Sequence, residues 1–252
     1  MTTIQWNAFQ KFREEYRELC FSWNKNEKEL FVLQKEAADL KKVPPYKLDT
    51  AVVYNQVYDS ITQNDEIKLI VIGDNPGKEE QMAEKRSYLV GQAGRIAQGF
   101  FSRNQELGID FRKNALIMNK TPVHTAKTDQ LKYLLKNGSQ EVVDLIHESQ
   151  KKCAGLIADL HAGLLKGAED YETEVWLVGY SELRKNGIFQ DFKETFRNSY
   201  NEQNWEHVMV FQHFSMNCFT KDLKEFTLRN PNVPLRESLS LIGRLHREEI
   251  FQ

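Results

Sequence analysis

The chain has 252 residues, 40% of them hydrophobic and 28% charged, with a net charge of −2. That is long enough for one α/β core with an extension, and no apolar run approaches the roughly 20 residues that span a bilayer. Three widely spaced cysteines, Cys20, Cys153 and Cys218, suggest neither a disulfide framework nor a paired-cysteine metal site, so no metal, no cofactor and a cytoplasmic location are expected.

The N-terminus lacks the order of a secretory signal. Trp6, Phe9, Phe12, Tyr16, Leu19 and Trp23 recur at three- and four-residue steps between charged residues, the pattern of an amphipathic helix. A second helix is expected over residues 27–41, up to Pro44-Pro45, and a third over residues 48–61. Residues 1–64 therefore read as a helical extension on a main domain of residues 65–252.

At Ile67 the pattern changes. IKLIVIG is short, β-branched and closed by glycine, as expected of a strand buried on both faces. Three more candidate strands follow, ALIM (115–118), VWLVG (175–179) and VMVF (208–211), with room for a helix between each pair. A helix opened by proline is expected over residues 234–249. Such alternation predicts a three-layer α/β/α fold around a four-stranded parallel sheet, with ligands at the carboxyl ends of the strands.

The residues at those ends are distinctive. Strand one is followed by Gly73-Asp74-Asn75-Pro76-Gly77, where a carboxylate and an amide sit in a stiff turn; turn chemistry accounts for these residues as well as a ligand would. Tyr88-Leu89-Val90-Gly91-Gln92-Ala93-Gly94-Arg95 then runs into a helix, without the lysine and hydroxyl of a nucleotide-phosphate loop. Strand two ends in Asn119-Lys120-Thr121-Pro122. Its asparagine is able to read a nucleobase edge or to cap a turn. Strand four ends in Gln212-His213-Phe214-Ser215-Met216-Asn217, where a histidine is suited either to a structural hydrogen bond or to an oxygen gaining charge.

Taken in order, these motifs over roughly residues 67–220 resemble the uracil-DNA glycosylase superfamily. Asn75-Pro76-Gly77 is similar to its mismatch-specific and single-strand-selective branches, and LVGQAG with ALIMNKTP to its iron–sulfur branch. The resemblance implies a hydrolase that excises uracil or a related damaged base from DNA, single-stranded or damaged duplex, after flipping it out. It assigns Asp74 and Asn75 to the sugar cation and attacking water, Asn119 to the uracil edge and His213 to the departing base. Gly73, Pro76, Gly77, Tyr88, Leu89 and Ser215 complete the expected base pocket, and Arg95, Lys120, Phe214, Met216 and Asn217 the expected DNA contacts, with Lys127 and Lys221 as further nearby cations.

The chain departs from the family in three places. Phe214 stands where proline is usual, Leu89 falls at the position of the base-stacking phenylalanine with Tyr88 beside it, and three cysteines cannot hold the iron–sulfur cluster. Two other readings remain: a non-catalytic member of the same fold that binds nucleic acid or a protein partner, and an α/β protein binding small molecules or nucleotides.

Overall fold

A computed structural model describes residues 1–252. The chain opens with helix α1 (Thr3–Trp23), whose start is fixed by a reciprocal capping box between Thr2 and Gln5. Its buried face carries Phe9, Phe12, Tyr16, Cys20 and Trp23. Helix α2 (Glu27–Leu40) follows directly.

The third helix expected over residues 48–61 does not form. Only a short 3-10 turn, Gln56–Ser60, appears there. The preceding chain is extended because its backbone groups are used elsewhere: Val52 exchanges hydrogen bonds with the Asn24 amide, Val53 N–H donates to the Pro122 carbonyl, and Gln34 Nε2 donates to the Ala51 carbonyl. Long-range partners thus outweigh a local helical tendency at two adjacent β-branched residues.

The main body then alternates: β1 (Leu69–Gly73), α3 (Gln92–Arg103), β2 (Ala115–Asn119), α4 (Leu131–Asn137), α5 (Gln140–Lys166), β3 (Glu174–Val178), α6 (Gln190–Asn198), α7 (Glu202–Trp205), β4 (Val208–Phe211), α8 (Cys218–Arg229) and α9 (Leu235–Phe251). The four strands are all parallel, in the order β2-β1-β3-β4. Helices cover both faces, giving the three-layer α/β/α architecture.

Side-chain alternation along each strand divides the interior in two. Ile70, Ile72, Val175 and Leu177 join α1 and α5 in one apolar cluster, while Leu69, Val71, Trp176 and Val178 join α3 and α8 in the other. Phe9, Phe12 and Tyr16 of α1 lie in the first cluster beside strand residues, so the N-terminal segment is part of the sheet's own covering layer. No helix is long and apolar enough to cross a membrane.

Candidate functional site

In the order β2-β1-β3-β4 the chain passes from β1 to β2 on one side and then crosses back to β3 on the other, which opens a crevice at the carboxyl ends of β1 and β3. The residues that follow each strand collect there. Asp74, Asn75, Asn119 and His213 line one cavity of about 460 Å³, together with Gly73, Gly77, Leu89 and Arg95.

Two glycines record how closely these side chains approach. A Cβ on Gly73 would lie 2.6 Å from Asn119 Oδ1, its partner in the β1–β2 register. Gly179, just past β3, has φ +81° and would place a Cβ 3.0 Å from both Asp74 Oδ1 and His213 Cδ2. Only glycine tolerates that torsion and proximity together, so Asp74 and His213 flank the same short piece of backbone.

Lys120 departs from its expected role as a phosphate contact. Its side chain is fully buried, and Nζ donates to Asp74 Oδ1 at 2.6 Å, to the Gly179 and Val178 carbonyls at 2.9 and 3.1 Å, and to Gly73 O at 3.3 Å. Burial pushes its ammonium below the ordinary lysine value, and the Asp74 charge opposes that. Lys120 therefore sits behind Asp74 and ties together the ends of β1 and β3. Asp74 keeps its cavity-facing position, with Oδ2 accepting from Thr128 Oγ1 at 3.3 Å.

The amide of Asn75 is oriented by its surroundings. Nδ2 donates to Thr125 Oγ1 at 2.8 Å and to the Val123 carbonyl at 3.2 Å, while Thr125 Oγ1 in turn donates to Lys127 O. The direction of these bonds identifies Oδ1 as the edge without a protein partner. Asn119 is different. It is 2% exposed, its Nδ2 has no hydrogen-bond partner, and no protein bond fixes its amide. A buried donor left unpaired costs about 1–3 kcal/mol, and at the cavity wall this one is open to a ligand's acceptor.

His213 is held in one tautomer. Ser215 N–H donates to Nδ1 at 3.0 Å and Ser215 Oγ lies 2.7 Å from the same atom, so Nδ1 is an acceptor and Nε2 carries the proton. Burial lowers its pKa, with Asp74 opposing and Lys120 assisting. A neutral imidazole with a free Nε2–H is thereby presented at the cavity wall. Ser215 lines no part of the cavity and acts on it through this bond.

Three further expectations are corrected. Phe214 is fully buried, its ring 4.9 Å from Phe219 and 6.4 Å from Phe111, so it belongs to the core and cannot enter a base stack. Tyr88 also points into the interior, where its hydroxyl donates to the Val53 carbonyl and meets Tyr16 Oη at 2.6 Å. Pro76 is buried outside the cavity wall, its carbonyl paired with His124 Nδ1 at 2.8 Å and Thr125 N–H at 3.2 Å. Leu89 does line the cavity, with φ +50°, held by its N–H to Glu80 Oε1 at 3.0 Å and its carbonyl to Arg112 at 2.7 Å.

Met216 and Asn217 form the exposed tip of the β4–α8 turn, both in the left-handed region, with Met216 79% exposed. Glu80 was not singled out in the sequence. It accepts from Gly77 N–H at 3.1 Å as well as from Leu89, so it clasps the loop after β1 to the loop before α3. Burial raises its pKa to about 7. Nothing in the local sequence distinguishes Glu80 from the neighbouring Glu79 and Glu84. No protein-family model, curated protein or solved structure matches this chain.

Proposed function

We propose that the protein is a DNA N-glycosylase related to the uracil-DNA glycosylase superfamily, acting on uracil or a related damaged base. The observation that carries this reading is the convergence of Asp74, Asn119 and His213 on one cavity with room for a base, with the Asn119 amide uncommitted. An amide free at both atoms donates to the O4 and accepts from the N3–H of uracil in a single plane.

The remaining groups fit the charge that develops as the bond breaks. The C1′–N1 bond cleaves with its electron pair on the base, and a water oxygen bonds to C1′. Nε2–H of His213 donates to the base oxygen as it becomes anionic, an electrostatic contribution made by a neutral donor already in place. Asn75 Oδ1 accepts a hydrogen bond from the attacking water, whose proton passes to the Asp74 carboxylate. Asp74 also faces the sugar as positive charge builds there, and Lys120 behind it fixes its position. The base reaches the cavity by extrusion, which costs about a few kcal/mol and least from an unpaired strand.

Incubation with oligonucleotides containing uracil, hypoxanthine or xanthine, single- and double-stranded, followed by alkaline cleavage of abasic sites, tests the reading. Strand scission at the modified position is expected; its absence with all three bases overturns the enzymatic claim.

One observation favours a second reading. Apart from His213, no aromatic side chain lines the cavity, so a flipped base has no stacking platform beyond Leu89. A non-catalytic nucleic-acid-binding member of the fold would retain DNA without releasing base, and Asp74→Asn with Asn75→Ala would leave that retention unchanged.

A further inference from the structure

A second concavity, of about 650 Å³, lies between α3 and α8. Arg95 and Arg103 line it from α3, and Lys221 and Lys224 from α8. All four are exposed, no carboxylate lines the groove, and none of the four takes part in a salt bridge. On α8, Asp222 turns toward His246 of α9, and Glu225 lines no part of the groove. Four cations on two facing helix stripes, in a protein of net charge −2, are a local concentration that the average composition conceals.

The groove joins the candidate site. Arg95 lines both it and the cavity that holds Asp74, Asn119 and His213. At 1.5 Å rise per residue, Arg95 and Arg103 are about 12 Å apart along α3, a span longer than the separation of neighbouring phosphates on one strand. Ile96 is the one apolar side chain in the wall and there is no aromatic, so the surface offers charge to a backbone without a platform for bases. The Arg103 guanidinium lies against Gly99, its Nη1 3.1 Å from where a Cβ would stand.

We infer that the α3–α8 groove carries the sugar-phosphate backbone of a single DNA strand flanking the nucleotide whose base enters the cavity, without sequence preference. The choice of occupant rests on the glycosylase reading, whereas the charge and continuity of the groove do not. Arg95 takes the phosphate nearest the cavity, and Arg103, Lys221 and Lys224 the phosphates beyond it.

The test is fluorescence anisotropy of a labelled fifteen-nucleotide oligo-dT, which contains no excisable base, across a salt series. The wild-type protein is expected to bind with a log–log salt slope of about −3, from four phosphate contacts at about −0.7 each. Arg103→Ala with Lys224→Ala, both outside the cavity, should weaken binding about tenfold and make the slope shallower by about 1.4. Lys28→Ala with Lys166→Ala removes the same charge from remote exposed sites and should change neither value. Polyglutamate at equal charge should compete poorly. Absence of oligo-dT binding by the wild type, an equal loss in the remote double variant, or equal competition by polyglutamate overturns the inference. Groove-dependent binding without base release would leave the groove standing and remove the proposed activity; base release with binding indifferent to the groove variants would do the reverse.

Discussion

Lys120 Nζ and Asp74 Oδ1 meet 2.6 Å apart across the ends of two neighbouring strands, the lysine fully buried and the aspartate facing the cavity. Such a pair adds little net stability when intact, because two charges have left water, but removing one partner strands the other and costs about 3–5 kcal/mol. Asp74→Ala and Lys120→Met are therefore each expected to lower unfolding free energy by about that amount, and the two together by less than the sum. Urea titrations of the four proteins measure the coupling; additive losses would show that the contact is energetically idle.

Asn119 carries the opposite expectation. Replacing its unpaired buried amide by the similarly sized apolar Leu removes a cost of about 1–3 kcal/mol, so Asn119→Leu should match or exceed wild-type stability. A loss above about 1 kcal/mol by chemical denaturation would mean that the amide is bonded in the free protein.

The tautomer of His213 sets a pH dependence. Burial holds its pKa below the ordinary 6.5, so the neutral ring with Nε2–H is present throughout neutral pH. Base release should be independent of pH from about 6.5 to 8 and fall only below that range, where a proton on Nδ1 would confront Ser215 N–H. A profile of kcat/KM with an acid midpoint above 6.5 would contradict this. Ser215→Ala, which deletes one partner of Nδ1, should slow release about fivefold, the equivalent of one hydrogen bond of about 1 kcal/mol.

Stability should also vary with pH, with competing signs. Burial lowers His124 and His161 to about 4, so the fold prefers both neutral, and the stability this confers is present above about 6.5 and is lost as pH falls toward 4. Glu80, raised to about 7, acts in reverse: its contribution is full below about 4.5 and is lost as pH rises through about 7. Two histidines outweigh one carboxyl, and a net loss on the order of 2 kcal/mol is expected between pH 7 and 4.5. Urea midpoints across that range measure it, and a midpoint that rises on acidification would oppose it.

Much of the architecture was legible because burial on both faces writes itself into a strand as an unbroken apolar run. IKLIVIG, ALIM, VWLVG and VMVF each became strands within about two residues of their sequence limits, and the last helix runs over Leu235–Phe251. The helix expected over residues 48–61 failed because Val52 and Val53 bond to Asn24 and Pro122, partners that no local pattern reveals. The same limit explains the cavity. Asp74, Asn75, Asn119 and His213 were found by their position after strands, whereas Lys120 and Phe214 were given to DNA because charge and aromatic bulk near a site look alike whether they point outward or in. Continuation of the apolar strand directly into Lys120 was the available sign that it stays buried.

Free uracil released from a uracil-containing single strand, compared between the wild type and Asn119→Leu at matched fold stability, tests the central claim most directly. Turnover by the wild type and a rate lower by about 10²–10³ in the variant are predicted, the cost of withdrawing the base-reading amide from the transition state. A well-folded wild-type protein that releases no uracil, or a variant that releases it at the wild-type rate, would contradict the account.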